Sequence, residues 1–297
     1  MTDIPDSQCT SSRVAVVTGA GKGLGRTHAL ALADRGFAVL VNNRTHPGIP
    51  SSADRVVEEI AAKGGTASAH GASVDDPAQA VDLIESAIAR YGRLDALVCN
   101  AGIMPRAPFH MADLDELRRL VEINLWGAVY PLQRAWRHML ETGYGRIVLT
   151  GSAVGLYGHA EAAMYGATRS AVVGLARSLA LEVPAGADIG INVILPLAYT
   201  DMAAQEMGAD EGANLPAEKV SHVVSWLCAE DCKVSGRIFH SGGGRVSRVG
   251  VTESVSVPVE AIDMTAIEGG ALGPLTKNEP TSAGQASYRM LTGNADL

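Results

Sequence analysis

The sequence predicts an α/β fold: one doubly wound parallel sheet with helices on both faces, followed by an irregular C-terminal extension. Three observations carry that expectation. Short apolar runs such as "VAVV" and "ALVC" read as strands buried on both sides. They alternate with amphipathic stretches of helical length, an order that leads to parallel pairing. A glycine-rich turn, "VVTGAGKGLGRTHAL", joins the first strand to the first helix.

The elements follow in order. After a polar leader over residues 1–12, "RVAVVT" is the first strand, "LGRTHALALADRG" the first helix and "FAVLVN" the second strand. "SSADRVVEEIAAKGG" reads as a helix opened by a serine cap and closed by glycine. "TASAHGASV" carries the third strand. In "DPAQAVDLIESAIARYG" the proline falls in the first helical turn, where an N–H has no partner to lose. "LDALVCN" is the fourth strand, and one long helical stretch is expected from Leu114 to Glu141. The strand "GRIVLTG", a helix beginning near Ala163 and the strand "GINVILP" complete the alternation. One domain is expected over 13–250. Residues 251–297, rich in Gly, Pro, Thr, Ser and Asn, read as an extension that packs on that domain or on a neighbouring subunit.

Composition narrows the function classes. The chain has 297 residues and a net charge of −8, so it offers no electrostatic footprint for nucleic acid. No apolar run reaches the ~18 residues of a membrane span, and the polar leader lacks the pattern of an export signal. A cytoplasmic location is the resulting expectation. Cys9, Cys99, Cys228 and Cys232 are scattered; no second Cys or His pair accompanies Cys228 and Cys232. Buried thiols are expected rather than a disulfide framework or a metal site.

The glycine turn is the first chemical signal. Gly19, Gly23 and Gly25 let the backbone turn sharply and approach a pyrophosphate, while the helix starting near Leu24 supplies free amides and a positive dipole end. Its position between a strand and a helix, at the start of an alternating chain, is the context a dinucleotide site requires. The second strand ends on Asn43 and Arg44, where an acidic residue would bond the adenosine ribose. A neutral amide beside a guanidinium tolerates and attracts a 2′-phosphate, and Lys22 could reach the same group. NADP(H) is therefore expected over NAD(H), although Arg44 and Lys22 also suit solvated loop positions.

From Arg13 to Gly250 these motifs resemble the short-chain dehydrogenases/reductases. The family's T-G-x-x-x-G-x-G turn matches Thr18 to Gly25, and its N-N-A-G segment matches "CNAG", with Asn100, Ala101 and Gly102. The active-site asparagine, serine and tyrosine match Asn124 in "EINLWG", Ser152 in "VLTGSAVG" and Tyr165. Within the family, "GYGRIVLTGSAVGLYG" and "VSWLCAEDC" look most like the hydroxyacyl-CoA dehydrogenase domain of peroxisomal multifunctional enzymes and its bacterial relatives. Besides Cys99 in the first place of the N-N-A-G segment, three positions depart from the pattern. Arg169 stands where the family has lysine; Ala72 replaces an acidic residue, leaving the adenine contact to Ser73 and Val74; Pro196 is followed by Leu197 rather than glycine. Thr200 sits where a hydroxyl bonds the nicotinamide carboxamide or a phosphate.

The resemblance implies that Ser152 bonds the substrate oxygen, that Tyr165 carries its proton, and that the basic residue one helical turn on stabilises the tyrosinate and holds the nicotinamide ribose. Tyr165 and Arg169, at i and i+4, share a helix face. Arginine keeps the charge and can bond ribose hydroxyls, but it does not deprotonate and its planar head needs more room. The expected activity is interconversion of a ketone and a secondary alcohol on a bulky, largely apolar small molecule: a hydroxyacyl thioester, a steroid-like ketone or a natural-product intermediate. Altered non-redox chemistry on a bound cofactor and a silent partner subunit are the alternatives. Met104, Pro105, Tyr157, His159, Leu197 and Tyr199 are candidates for the pocket wall. The resemblance further implies a homodimer or homotetramer through the helices beginning near Leu114 and Ala163.

Overall fold

The computed structural model describes residues 12–205 and 208–254, together with Ser256 and Ala286. The chain divides into two units, Met1–Arg248 and Val249–Leu297. The expected leader and C-terminal extension fall almost wholly outside the described residues.

Strand β1 (Val14–Val17) leads through the glycine turn into helix α1 (Gly23–Asp34). The alternation continues with β2 (Ala38–Asn42), α2 (Ser52–Ala62), β3 (Ala67–His70), α3 (Pro77–Tyr91) and β4 (Ala96–Cys99). Local signals place these boundaries. Ser51 Oγ accepts the Asp54 N–H at 3.2 Å, and Asp76 accepts from Ala78 and Gln79 ahead of Pro77. Gly92, at φ 78°, ends α3 in the left-handed conformation.

The long helix expected from Leu114 to Glu141 is instead three pieces: α4 (Leu114–Val121), a π-helical turn (Glu122–Trp126) and α5 (Gly127–Thr142). The wide turn carries Asn124, whose fully buried side chain bonds the backbone of Ile103. Pro131, one turn further on, removes another ladder donor. Next come β5 (Tyr144–Thr150), the short α6 (Val154–Tyr157), α7 (Ala163–Leu181) and β6 (Asp188–Leu197). The short α8 (Ala209–Gly212), α9 (Ala217–Leu227) and strands β7 (Ile238–Gly242) and β8 (Arg245–Val249) extend the expected set.

The sheet runs β3-β2-β1-β4-β5-β6-β7-β8, parallel from β3 to β7. β8 follows β7 through Gly243 and Gly244, a two-residue connection that requires antiparallel pairing. One face, with Ala15, Val17, Val39 and Val98, packs against Leu32 of α1, Val56 and Ile60 of α2, and Val220 and Val224 of α9. Alternation along the strands sends Val14, Val16, Leu40 and Leu97 to the other face. Winding reverses between β1 and β4, so a crevice opens at their carboxyl ends, where ligands bind in such sheets.

Candidate active site

The two strand ends that floor this crevice are tied together by polar contacts. Thr18 Oγ1, just past β1, accepts the N–H groups of Asn100 (3.0 Å) and Ala101 (3.1 Å), just past β4. Asn100 Nδ2 donates to the carbonyls of Thr18 and Gly19. The side chain of Asn100 thus holds the turn in place.

The glycines are demanded by crowding and by backbone angle. Gly19 (φ 62°) and Gly23 (φ 53°) are left-handed, and a Cβ on Gly19 would lie 2.8 Å from Ala101 Cα. A Cβ on Gly25 would overlap the Gly19 carbonyl. Helix α1 starts without a side-chain cap and without an acidic residue in its first turn, so its leading amides keep their capacity for an anion. The expected dinucleotide fits this cradle: backbone amides, a positive helix end and space that only glycine leaves.

The expected adenosine corner is more closely built than the sequence suggested. Gly21 packs against Asn43 and Ser52, and Asn43 Nδ2 donates to Ser52 Oγ at 2.9 Å. Ser52, legible from the sequence only as a helix start, therefore belongs to this corner, with Arg44 exposed beside it. Lys22 is turned elsewhere: its Nζ lies 2.9 Å from Asp201 Oδ2. Asp201 lies next to Thr200, whose Cγ2 would be 3.5 Å from a Cβ on Gly23. Ser73 hydrogen-bonds Asp75 through its hydroxyl and Gln79 Oε1 through its N–H, while buried Val74 packs against Gly127. Asn42, which sequence reasoning passed over, donates to the carbonyls of His70 and Ala72 and so fixes that loop. Leu24 and Pro196 are half-buried.

On the other side of the crevice, α7 presents Tyr165 and Arg169, 8% and 4% exposed. The Arg169 guanidinium carbon lies 5.2 Å from the centre of the Tyr165 ring. Arg169 Nη1 donates to the Thr150 carbonyl at 2.9 Å, at the end of β5. Nη2 reaches across to Gly102, where any Cβ would overlap it and would lie 3.1 Å from Asn124 Oδ1. Arg169, Gly102 and Asn124 thus meet at one point. Asn124 itself is spent on Ile103, accepting from its N–H and donating to its carbonyl, both at 2.8 Å. Ser152, two residues past Thr150, accepts the Val154 N–H at 3.2 Å. Arg169 Nε and Thr150 Oγ1 are buried without a hydrogen-bond partner. Polar atoms left in this way beside a crevice point to a ligand that would satisfy them.

The pocket-wall candidates separate. Met104 and Pro105 are half-buried, and Met104 packs in a cluster with Leu120, Ala162 and Tyr165. Tyr157 and Leu197 are exposed, whereas Tyr199 packs on Gly212. His159 is exposed, its Nδ1 2.7 Å from the Ala160 carbonyl. Burial pushes the thiols of Cys99 and Cys228 up to about 12, which leaves them inert. Among the described residues no group of His, Cys, Asp and Glu could hold a metal ion, and no helix is long and apolar enough to cross a membrane.

Known proteins resemble this chain in sequence and in fold. A protein of Mycobacterium tuberculosis named as a short-chain type dehydrogenase/reductase is 38% identical over 242 residues, 80% of this chain and 84% of that protein. The peroxisomal multifunctional enzyme type 2 of Mus musculus is also 38% identical over 242 residues, but the match spans only 32% of its length. A crystal structure of a short chain dehydrogenase from Mycobacterium avium superposes with a TM-score of 0.77 at 32% identity, covering 89% of this chain and 95% of that one. The model of the short chain dehydrogenase family matches residues 13–211. With the crevice, glycine turn and parallel sheet described above, these matches make the chain a member of the short-chain dehydrogenase/reductase family, an oxidoreductase with a nicotinamide cofactor.

Proposed function

We propose that the protein uses NADP(H) to interconvert a ketone and a secondary alcohol on a bulky, largely apolar substrate, with a hydroxyacyl thioester as the first candidate. The observation that carries this reading is the meeting of Tyr165, Arg169, Gly102 and Asn124 beside the glycine turn. When bound, the nicotinamide supplies or accepts the hydride. The Ser152 hydroxyl donates to the substrate oxygen and holds the carbonyl in place. Tyr165 gives its hydroxyl proton to the forming alkoxide, or takes it back in oxidation. Arg169 stabilises the phenolate through its charge over the ring. Because a guanidinium does not surrender its proton, Tyr165 is reprotonated from water rather than through Arg169.

The cofactor preference rests on the adenosine corner, where Asn43 and Arg44 replace the acidic residue that would repel a 2′-phosphate. Gly19, Lys22, Gly23, Leu24, Gly25, Ser73, Val74, Asn100, Ala101, Gly102, Pro196 and Thr200 complete the proposed cofactor contacts. The thioester proposal draws on the similarity to the mouse multifunctional enzyme and on exposed Tyr157, Phe109, Met111 and Leu197, apolar surface suited to an acyl chain. Exposed Trp126, Leu140 and Leu181 support association through the π-helical turn, α5 and α7 as a homodimer or homotetramer. A cytoplasmic location belongs to the same reading.

A second reading is favoured by the anchoring of Arg169 to the Thr150 carbonyl, which holds the guanidinium in one place. The site would then bind cofactor but run non-redox chemistry. Absorbance of the reduced nicotinamide, recorded with NADPH and with NADH over a panel of ketones and 3-oxoacyl thioesters, separates the two. NADPH oxidation with the thioesters is the expected result. Tight binding without oxidation of either cofactor would favour the second reading, and a preference for NADH would overturn the role given to Asn43 and Arg44.

A further inference from the structure

Lys22 has two possible partners, and in this structure it holds the one further from the adenosine corner. Its backbone follows Gly21, which is packed directly against Asn43 and Ser52. Its ammonium is nevertheless 2.9 Å from Asp201, beyond the end of β6. The two side chains are 76% and 79% exposed, so no packing locks the pair. The ammonium beside it holds the Asp201 carboxyl below the usual carboxylate range. A lysine is a compact charge on a flexible four-carbon stem, and an exposed ion pair is weak enough to exchange for a better anion.

We propose that Asp201 sets cofactor discrimination by competing with the 2′-phosphate for Lys22. This rests on the NADP(H) reading of the Asn43–Arg44 corner. Lys22 bridges the glycine turn to the segment that follows β6. A 2′-phosphate seated at Asn43, Arg44 and Ser52 draws the ammonium away from Asp201 and breaks the bridge. NADH presents no such phosphate, so the bridge survives its binding. Asp201 is thus a positioning residue that lowers the affinity for the phosphorylated cofactor by occupying its cation. The same exchange couples cofactor binding to the start of the segment carrying Thr200, whose hydroxyl accepts the Ala203 N–H at 3.4 Å.

The test is a set of four proteins (wild type, Asp201→Asn, Lys22→Ala and the double variant) titrated with NADPH and with NADH by nicotinamide fluorescence. Asp201→Asn should tighten NADPH binding about twofold to fivefold and leave NADH binding within about 1.5-fold, the scale of one exposed ion pair. Lys22→Ala should weaken NADPH and abolish the effect of Asp201→Asn. Equal tightening of both cofactors, or tightening that persists without Lys22, would mean Asp201 acts only as a nearby negative charge and would overturn the competition. A wild type that prefers NADPH, joined to an Asp201→Asn variant without effect, overturns the role of Asp201 alone. A wild type that does not prefer NADPH overturns the cofactor reading and the competition with it.

Discussion

A Cβ on Gly102 would overlap Arg169 Nη2, so Gly102→Ala forces either the 102 backbone or the guanidinium to move. Overpacking of this kind costs about 1–3 kcal/mol, and a displaced catalytic group costs on the order of 10²-fold in rate. We expect both losses in Gly102→Ala, measured by urea unfolding and by kcat/KM. In the Arg169→Lys background the same substitution should cost much less, because an ammonium on an unbranched stem has no fork to collide with the new methyl. Equal losses in the two backgrounds would show that the methyl strains the backbone independently of Arg169. The arginine one helical turn after Tyr165 is visible in the sequence. Its consequence is not: the contacts with Gly102 and the Thr150 carbonyl join residues 67 and 19 positions apart, and no local pattern encodes them.

Helices α1 and α9 enclose a small polar cluster under the cofactor cradle. His28 Nδ1 lies 2.7 Å from Ser221 Oγ, which also donates to Thr27 Oγ1 at 2.8 Å. His28 Nε2 is buried with no partner, and burial lowers the imidazole to about 3. The folded protein therefore refuses a proton that the unfolded chain accepts once the pH falls below about 6.5. Stability is full above that value and is lost between about 6.5 and about 3, at about 1.4 kcal/mol per pH unit. Urea unfolding of wild type and His28→Gln at pH 7 and pH 5 should show about 2 kcal/mol less acid destabilisation in the variant; an identical pH dependence would refute the assignment. The alternation of β1 to β6 was readable because the strands are short apolar runs and several boundaries have a local cause, such as the Ser51 and Asp76 caps or the left-handed Gly92. The π-helical turn was not, because what sustains it is the pairing of Asn124 with Ile103, 21 residues away. Helix α9 was missed for a related reason: its apolar residues and its Ser221 acquire meaning only against α1, nearly the whole domain earlier.

At the scale of the molecule, the parallel sheet brings four distant segments to one crevice. The ends of β1 and β4 form its floor, joined by Thr18 and Asn100, while α7 and the segment after β6 stand on either side. Topology explains why residues from Gly19 to Asp201 converge, and the family membership of the chain explains why the motifs spelled that convergence in advance. What the motifs left open is whether a crevice with arginine at position 169 passes a hydride and a proton. The most direct measurement is turnover of NADPH with a 3-oxoacyl thioester by wild type, Tyr165→Phe and Arg169→Lys, each first shown to bind NADPH. We expect oxidation by the wild type, a loss of about 10²–10⁴-fold in Tyr165→Phe with binding kept, and equal or faster oxidation in Arg169→Lys. Wild-type oxidation that survives the loss of the Tyr165 hydroxyl, or NADPH bound tightly and never oxidised, would contradict this expectation.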